Sequence, residues 1–128
     1  MAIKTHPTFG NGKICYLEIP ALDIGRSAKF FETVFGWRVR RRGDGSVAFD
    51  DGVGEVSGTW VTGHKPASDP AVMIHIMVDN MAKSIEDVVA NGGRIVKDAG
   101  RDSPEITAKF SDPAGNVFGL YQHRTEEK

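Results

Sequence analysis

Glu18 to Val39 and His75 to Val96 are two versions of one pattern, offset by 57 residues. Asp23 matches Asn80, Ser27 matches Ser84, Gly36 matches Gly93 and Val39 matches Val96. Each copy then closes on a similar strand, Gly54 to Trp60 and Gly115 to Tyr121, here at an offset of 61. A repeat of roughly 60 residues is too long for a solenoid unit and too short for an independent domain. Two such halves are expected to share one core, with a pseudo-two-fold cleft between them. Candidate functional residues are sought in that cleft.

Alternation and punctuation give the element order. Cys15, Leu17 and Ile19 form the apolar face of a first strand, Ile14 to Pro20, while Tyr16 and Glu18 point the other way. Asp23 is a candidate N-cap for a helix whose stripe is Phe30, Phe31, Val34 and Phe35, ended by Gly36. Strands follow at Arg38 to Arg41, Val47 to Asp50 and Val56 to Thr62, which gives β-α-β-β-β. The second half repeats this order. Its elements are a strand over Val72 to Val78, a helix capped by Asn80 with Ile85, Val88 and Val89 inward, and strands at Arg94 to Lys97, Ile106 to Ser111 and Val117 to Gln122. The fold class is therefore α+β: two tandem βαβββ modules forming one curved mixed-sheet domain with a cleft. Residues 1–12 are expected to be a flexible arm and 13–123 a single domain. Within it, module one is 13–62, the linker 63–71 and module two 72–123, and 124–128 is a tail.

Composition removes several classes of partner. A net charge of −1 argues against a nucleic acid or an anionic membrane. The run Arg38 to Arg42 reads as a strand end and solvated hairpin rather than an anion site. One cysteine excludes an internal disulfide, and Cys15 is expected to be a small buried hydrophobe. No apolar run approaches the ~20 residues of a membrane span, so a cytoplasmic location is the default.

The first strand of each half must cover its helix with one face. The other face carries Tyr16 and Glu18 in module one and Met73, His75 and Met77 in module two. Strand parity adds Trp60 and Tyr121. Methionine, tryptophan and tyrosine around one acid and one imidazole suit a small-molecule pocket. Cys15 lacks any partner that would make it a reactive thiolate, and His6 and His64 read as solvated.

Duplicated β-α-β-β-β modules closing with Asp112-Pro113-Ala114-Gly115-Asn116 before an aromatic strand resemble the vicinal oxygen chelate superfamily. Glu18-Ile19-Pro20-Ala21 and Asp23, then Ser27-Ala28, Phe30-Phe31 and Val34-Phe35-Gly36-Trp37, are similar to its glyoxalase-like domain branch. The superfamily includes glyoxalase I, bleomycin-resistance proteins and extradiol dioxygenases, and the resemblance implies that fold over residues 13 to 123. It also implies a metal ligand from the first and last strand of each module. Those positions fall here on Tyr16, about Gly58, Met73 and Gly119, none of which suits a hard or borderline divalent ion. No metal and no cofactor are therefore expected, and ordinary glyoxalase I or extradiol dioxygenase activity is not.

Two residues along from the vacated positions stand Glu18 and His75, matched in the duplication. They could act as an acid–base pair, moving a proton beside a carbonyl as isomerases and lyases do. They could form part of a displaced metal site, for which His123 would have to contribute although it lies ~13 Å along the strand from Gly119. Or they could simply hydrogen-bond each other or nearby backbone. Around them Tyr16, Trp60, Met73, Met77 and Tyr121 are the candidate ligand contacts. The expected function is binding of a small organic molecule, with metal-free isomerase or lyase chemistry by Glu18 and His75. The rival is a non-catalytic drug- or antibiotic-sequestering protein, and a lyase or dioxygenase with displaced ligands is third. The resemblance further implies a homodimer.

Overall fold

The computed structural model describes residues 7–100 and 105–123. His6 lies outside them, as does the side chain of His123. The element order is β1 (Tyr16–Pro20), α1 (Ile24–Phe35), β2 (Arg38–Arg41), β3 (Val47–Asp50), β4 (Ser57–Val61), β5 (His75–Met77), α2 (Met81–Ala90), β6 (Arg94–Gly100), β7 (Glu105–Ser111) and β8 (Val117–His123). These are two βαβββ modules. Each makes a four-stranded mixed sheet, ordered β1-β4-β3-β2 and β5-β8-β7-β6. In both, the first strand pairs in parallel with the last and the other pairings are antiparallel.

The helices start and stop where their caps demand. The Asp23 carboxylate accepts the Arg26 N–H and the Asn80 side-chain oxygen accepts the Lys83 N–H, each at 3.0 Å. Both satisfy a donor that the first helical turn leaves without a partner. Gln122 of β8 adds a second acceptor for α2, taking the Met81 N–H at 2.6 Å. Gly36 ends α1 in the left-handed conformation at φ 72°, where a side chain would be strained.

Aromatic packing makes one core of the two modules. Phe31 of α1 stacks on Trp37 at 4.5 Å and lies 6.0 Å from Trp60 on the first sheet. The same ring meets Phe118 of the second sheet edge-on at 5.4 Å. Its neighbours Phe30 and Phe35 pack on Phe110 of β7 at 5.9 and 5.6 Å. Helix α1 thus touches the apolar faces of both sheets, and neither half buries its own core alone.

A polar clasp at the β7–β8 turn completes the joint. Asp112 is buried, and its Oδ1 accepts the N–H groups of Ala114, Gly115 and Asn116. Asn116, also buried, donates to Asp112 Oδ2 at 2.9 Å and to the carbonyl of Pro20 in β1 at 2.7 Å. Its side-chain oxygen accepts the N–H of Ala67 in the linker at 2.7 Å. One asparagine therefore holds module one, the linker and module two.

Candidate functional site

Each sheet turns one face to the shared core. On the first, Ile19, Phe49, Gly58 and Trp60 are buried, so alternate residues form the opposite, open face. Pairing across the strands lays two rows on that face. One runs Tyr16, Ser57, Asp50, Arg38, and the next Glu18, Thr59, Ala48, Arg40. Asp50 is well supplied: it accepts from Arg40 Nε at 3.1 Å, from Arg40 Nη2 at 2.9 Å and from Ser57 Oγ at 2.7 Å. The Arg40 bonds, chiefly, hold its carboxyl below the usual carboxylate range, against a smaller push upward from burial.

On the second sheet Phe110, Phe118 and Leu120 face the core. Its open face carries a row His75, Gly119, Lys109, Lys97, and beside it Met77, Tyr121, Thr107, Gly100. The His75 imidazole lies across Gly119. A Cβ at that position would fall 2.3 Å from His75 Nδ1 and 2.5 Å from Cε1, a separation that no side chain can tolerate. Glycine at 119 is thus what allows the ring to fold over the neighbouring strand.

Most of the residues expected on the open faces are there. Tyr16, Glu18, His75 and Met77 are exposed, Tyr121 is half-buried, and Met73 is half-buried in the segment before β5. Met77 and Tyr121 sit directly opposite one another. Glu18 and His75 stand on different sheets, and among the described residues no hydrogen bond or ion pair joins them. The direct Glu18–His75 bond is therefore absent from this arrangement.

Two placements differ from the sequence expectation. Trp60 is 2% exposed on the core face, packed 4.7 Å from Phe49, and is no part of the open face. Its Nε1–H is buried with no hydrogen-bond partner among the described residues. The cause is one extra residue. Asp51 N–H bonds to the carbonyl of Val56, five residues on, whereas Asp112 N–H bonds to that of Asn116, four on. Beyond that turn Thr59, and not Gly58, is the counterpart of Gly119, because Glu18 pairs with Thr59 as His75 pairs with Gly119. A shift of one residue moves every side chain of a strand to the other face. Cys15 is the second correction. It precedes β1 and is exposed, so it covers no helix.

A groove of about 370 Å³ lies at the start of β1, between residues 7–13 and the open face at Tyr16 and Ser57. Thr8 holds its wall by donating from N and Oγ1 to the Glu55 carboxylate at 3.0 and 3.1 Å. Sequence reasoning passed over Ser57, Thr59, Lys97 and Lys109. Lys109 was legible, since it alternates with the apolar Ala108 and Phe110.

The metal positions implied by the resemblance do not fit an ion. In module one they are Tyr16 and Thr59, whose hydroxyl is donated to the Val47 carbonyl at 2.6 Å. In module two they are Met73 and Gly119, and the space over Gly119 is filled by His75. Among the described residues no three His, Cys, Asp or Glu side chains lie close enough to hold a metal.

Comparison with known proteins agrees with the fold. The family model described as "glyoxalase-like domain" matches residues 16–121. A glyoxylase-like domain-containing protein of Didymella fabae is 27% identical over 126 residues, which cover 86% of this chain and 93% of that one. A glyoxalase/bleomycin resistance protein/dioxygenase family enzyme from Burkholderia phytofirmans superposes with a TM-score of 0.69 at 18% identity, over 84% of this chain and 96% of that one. Fosfomycin resistance protein FosX from Mesorhizobium loti gives a TM-score of 0.69 at 19% identity, over 89% and 93% of the two chains. None of the described helices is long and apolar enough to cross a membrane. The chain belongs to the glyoxalase-like domain family, with the fold of the vicinal oxygen chelate superfamily.

Proposed function

We propose that this protein binds a small organic molecule against the open faces of its sheets and works on it without the usual metal ion of the fold. In this reading Glu18 and His75 are the proton-transfer groups of an isomerase or lyase, one on each sheet. The observation that carries it is the imidazole laid over Gly119: it stands where a metal-ligand carboxylate would project. Imidazole is the side chain most often used to transfer protons in general acid–base catalysis. Tyr16, Met77 and Tyr121 would supply apolar contact around the substrate. The sequestering alternative has less support, because its aromatic platform needed Trp60, which is in the core.

A homodimer is part of the proposal. Tyr16 and Met77 are 46% and 70% exposed on faces that neither described helix covers. A second copy set against these faces would close a cavity and bring Glu18 of one protomer toward His75 of its partner. Sedimentation as a monomer at micromolar concentration would remove this element.

The test is solvent-deuterium incorporation next to the carbonyl in a panel of 2-oxo acids and acyl thioesters, with protein treated with EDTA. Exchange is expected on at least one member of the panel. It should fall by about 10²-fold or more in Glu18→Gln and in His75→Ala, with ligand affinity retained in Glu18→Gln. Exchange that both variants keep would overturn the assignment. Tight binding with no exchange by any compound would favour sequestration.

A further inference from the structure

We propose that the row His75, Lys109 and Lys97 on the open face of the second sheet is a binding site for a small organic anion, its charged group a carboxylate, phosphonate or phosphate. The inference deepens the proposed function by assigning a charge to the ligand, and it rests on that reading only for the identity of the site.

The argument starts from the ladder. Lys97 and Lys109 are direct cross-strand partners, and Lys109 is in turn opposite Gly119, over which the imidazole lies. Directly opposed residues have Cβ atoms about 5 Å apart, and like charges there are unfavourable. Three cations have a carboxylate partner among the described residues, Lys13 with Glu55 being one. Arg40 is paired with Asp50 at 2.9 Å, and Lys83 with Asp87 at 3.1 Å. Lys97 and Lys109 have no carboxylate or hydrogen-bond partner among the described residues, and they are set apart from the chain's other unpaired cations by standing directly opposite each other on one ladder.

Geometry adds a reason for the arrangement. Adjacent strands lie about 4.8 Å apart, so an imidazole folded over Gly119 reaches toward the strand that carries Lys109. Glycine at 119 therefore lets a histidine at the sheet edge lean toward the strand that carries Lys109, with Lys97 one strand beyond. The bulge between Ile95 and Lys97 resets the register so that Lys97, and not Val96, opposes Lys109. Bulges of this kind re-aim side chains. Thr107 and Tyr121 form the next row on the same face. A tetrahedral or planar oxyanion between these groups would accept charge-assisted hydrogen bonds from lysine and histidine. On the open face of the first sheet Arg40 is engaged with Asp50, and Arg38 stands directly opposite the same carboxylate residue.

The experiment follows backbone amide and histidine ring resonances during titration of the full chain with methylphosphonate, with acetate and isopropanol beside it. Saturable shifts from methylphosphonate are expected at Gly119, Lys109, Lys97 and the His75 ring, and none from isopropanol. Lys109→Gln and Lys97→Gln should each weaken binding by about tenfold, the loss expected for one charge-assisted contact. Lys83→Gln, on α2, should bind as the parent does. Gly119→Ala should weaken binding similarly by displacing the imidazole, with a cooperative thermal unfolding transition showing that the variant is folded. Absence of saturation with either anion, or equal affinity in the Lys97, Lys109 and Lys83 variants, would overturn the proposal. Failure here would leave the exchange test of Glu18 and His75 intact, and anion binding with no exchange would contradict the chemistry but keep the site.

Discussion

Replacing Phe31 with alanine is expected to destabilise the protein by about 3–5 kcal/mol, the range for a fully buried aromatic. The ring has no exposure and meets Phe30, Phe35, Trp37, Trp60 and Phe118, so the cavity would open toward both sheets. A neighbourhood of fixed rings collapses poorly into such a void, which places the cost at the upper end of the range. Urea denaturation followed by tryptophan fluorescence measures it, because Trp37 stacks directly on Phe31. One transition with a lowered midpoint and unchanged slope is expected, since both modules share this ring. Two separated transitions in the parent protein would show that the modules fold independently and would contradict the shared core.

The second large effect is expected at Asn116. Alanine there removes the partners of the Pro20 carbonyl, the Ala67 N–H and Asp112 Oδ2 at once. Each buried group left unsatisfied costs about 1–3 kcal/mol, so a loss of about 3 kcal/mol or more is expected. Aspartate is the more informative substitution. It keeps an acceptor for Ala67, but sets a second carboxylate oxygen against Asp112 Oδ2 and the Pro20 carbonyl. Burial already raises the Asp112 pKa above its usual 3.8, despite the hydrogen bonds that pull it down. A raised carboxyl pKa means that the folded state binds its proton at a higher pH than the unfolded chain does. The stability contribution of such a group therefore grows as pH falls through the folded pKa toward 3.8. Asn116→Asp adds a second group of the same sign, so its deficit against the parent should be greatest at neutral pH and shrink on acidification. A deficit that widens as pH falls would contradict this account of the clasp.

Much of the fold was legible because local chemistry states it openly. Asp23, Asn80 and Gly36 are cap residues whose roles follow from one helix end each, and the phenylalanine stripe of α1 follows from helical period. The duplication supplied the topology, since equal halves predict equal modules. What escaped the sequence depends on counting across a gap. The turn after Asp51 holds one residue more than the turn after Asp112, and nothing in Gly54-Glu55-Val56 marks which residue is extra. That single residue sent Trp60 into the core and left Thr59 facing out. β5 is shorter than the alternation from Val72 suggested, because the Val117 N–H of β8 bonds instead to the carbonyl of Ala67 in the linker. Lys97 was hidden by a bulge, which shifts register without changing composition.

The candidate site divides in the same way. Tyr16, Glu18, His75, Met77 and Tyr121 stand on open faces because each alternates with a residue that the core requires. Their relation across the sheets is a property of assembly, and it was not written in either strand. The imidazole over Gly119 was likewise invisible, although both residues had been singled out separately.

The central claim is that these open faces act on an organic ligand without a metal ion of the usual kind. Isothermal titration of metal-stripped protein with nickel, zinc, manganese and anaerobic ferrous iron, beside His75→Ala, tests it most directly. Absence of stoichiometric binding by any of these ions is the predicted result. Stoichiometric binding that disappears in His75→Ala would contradict the account and place a displaced metal site at the imidazole.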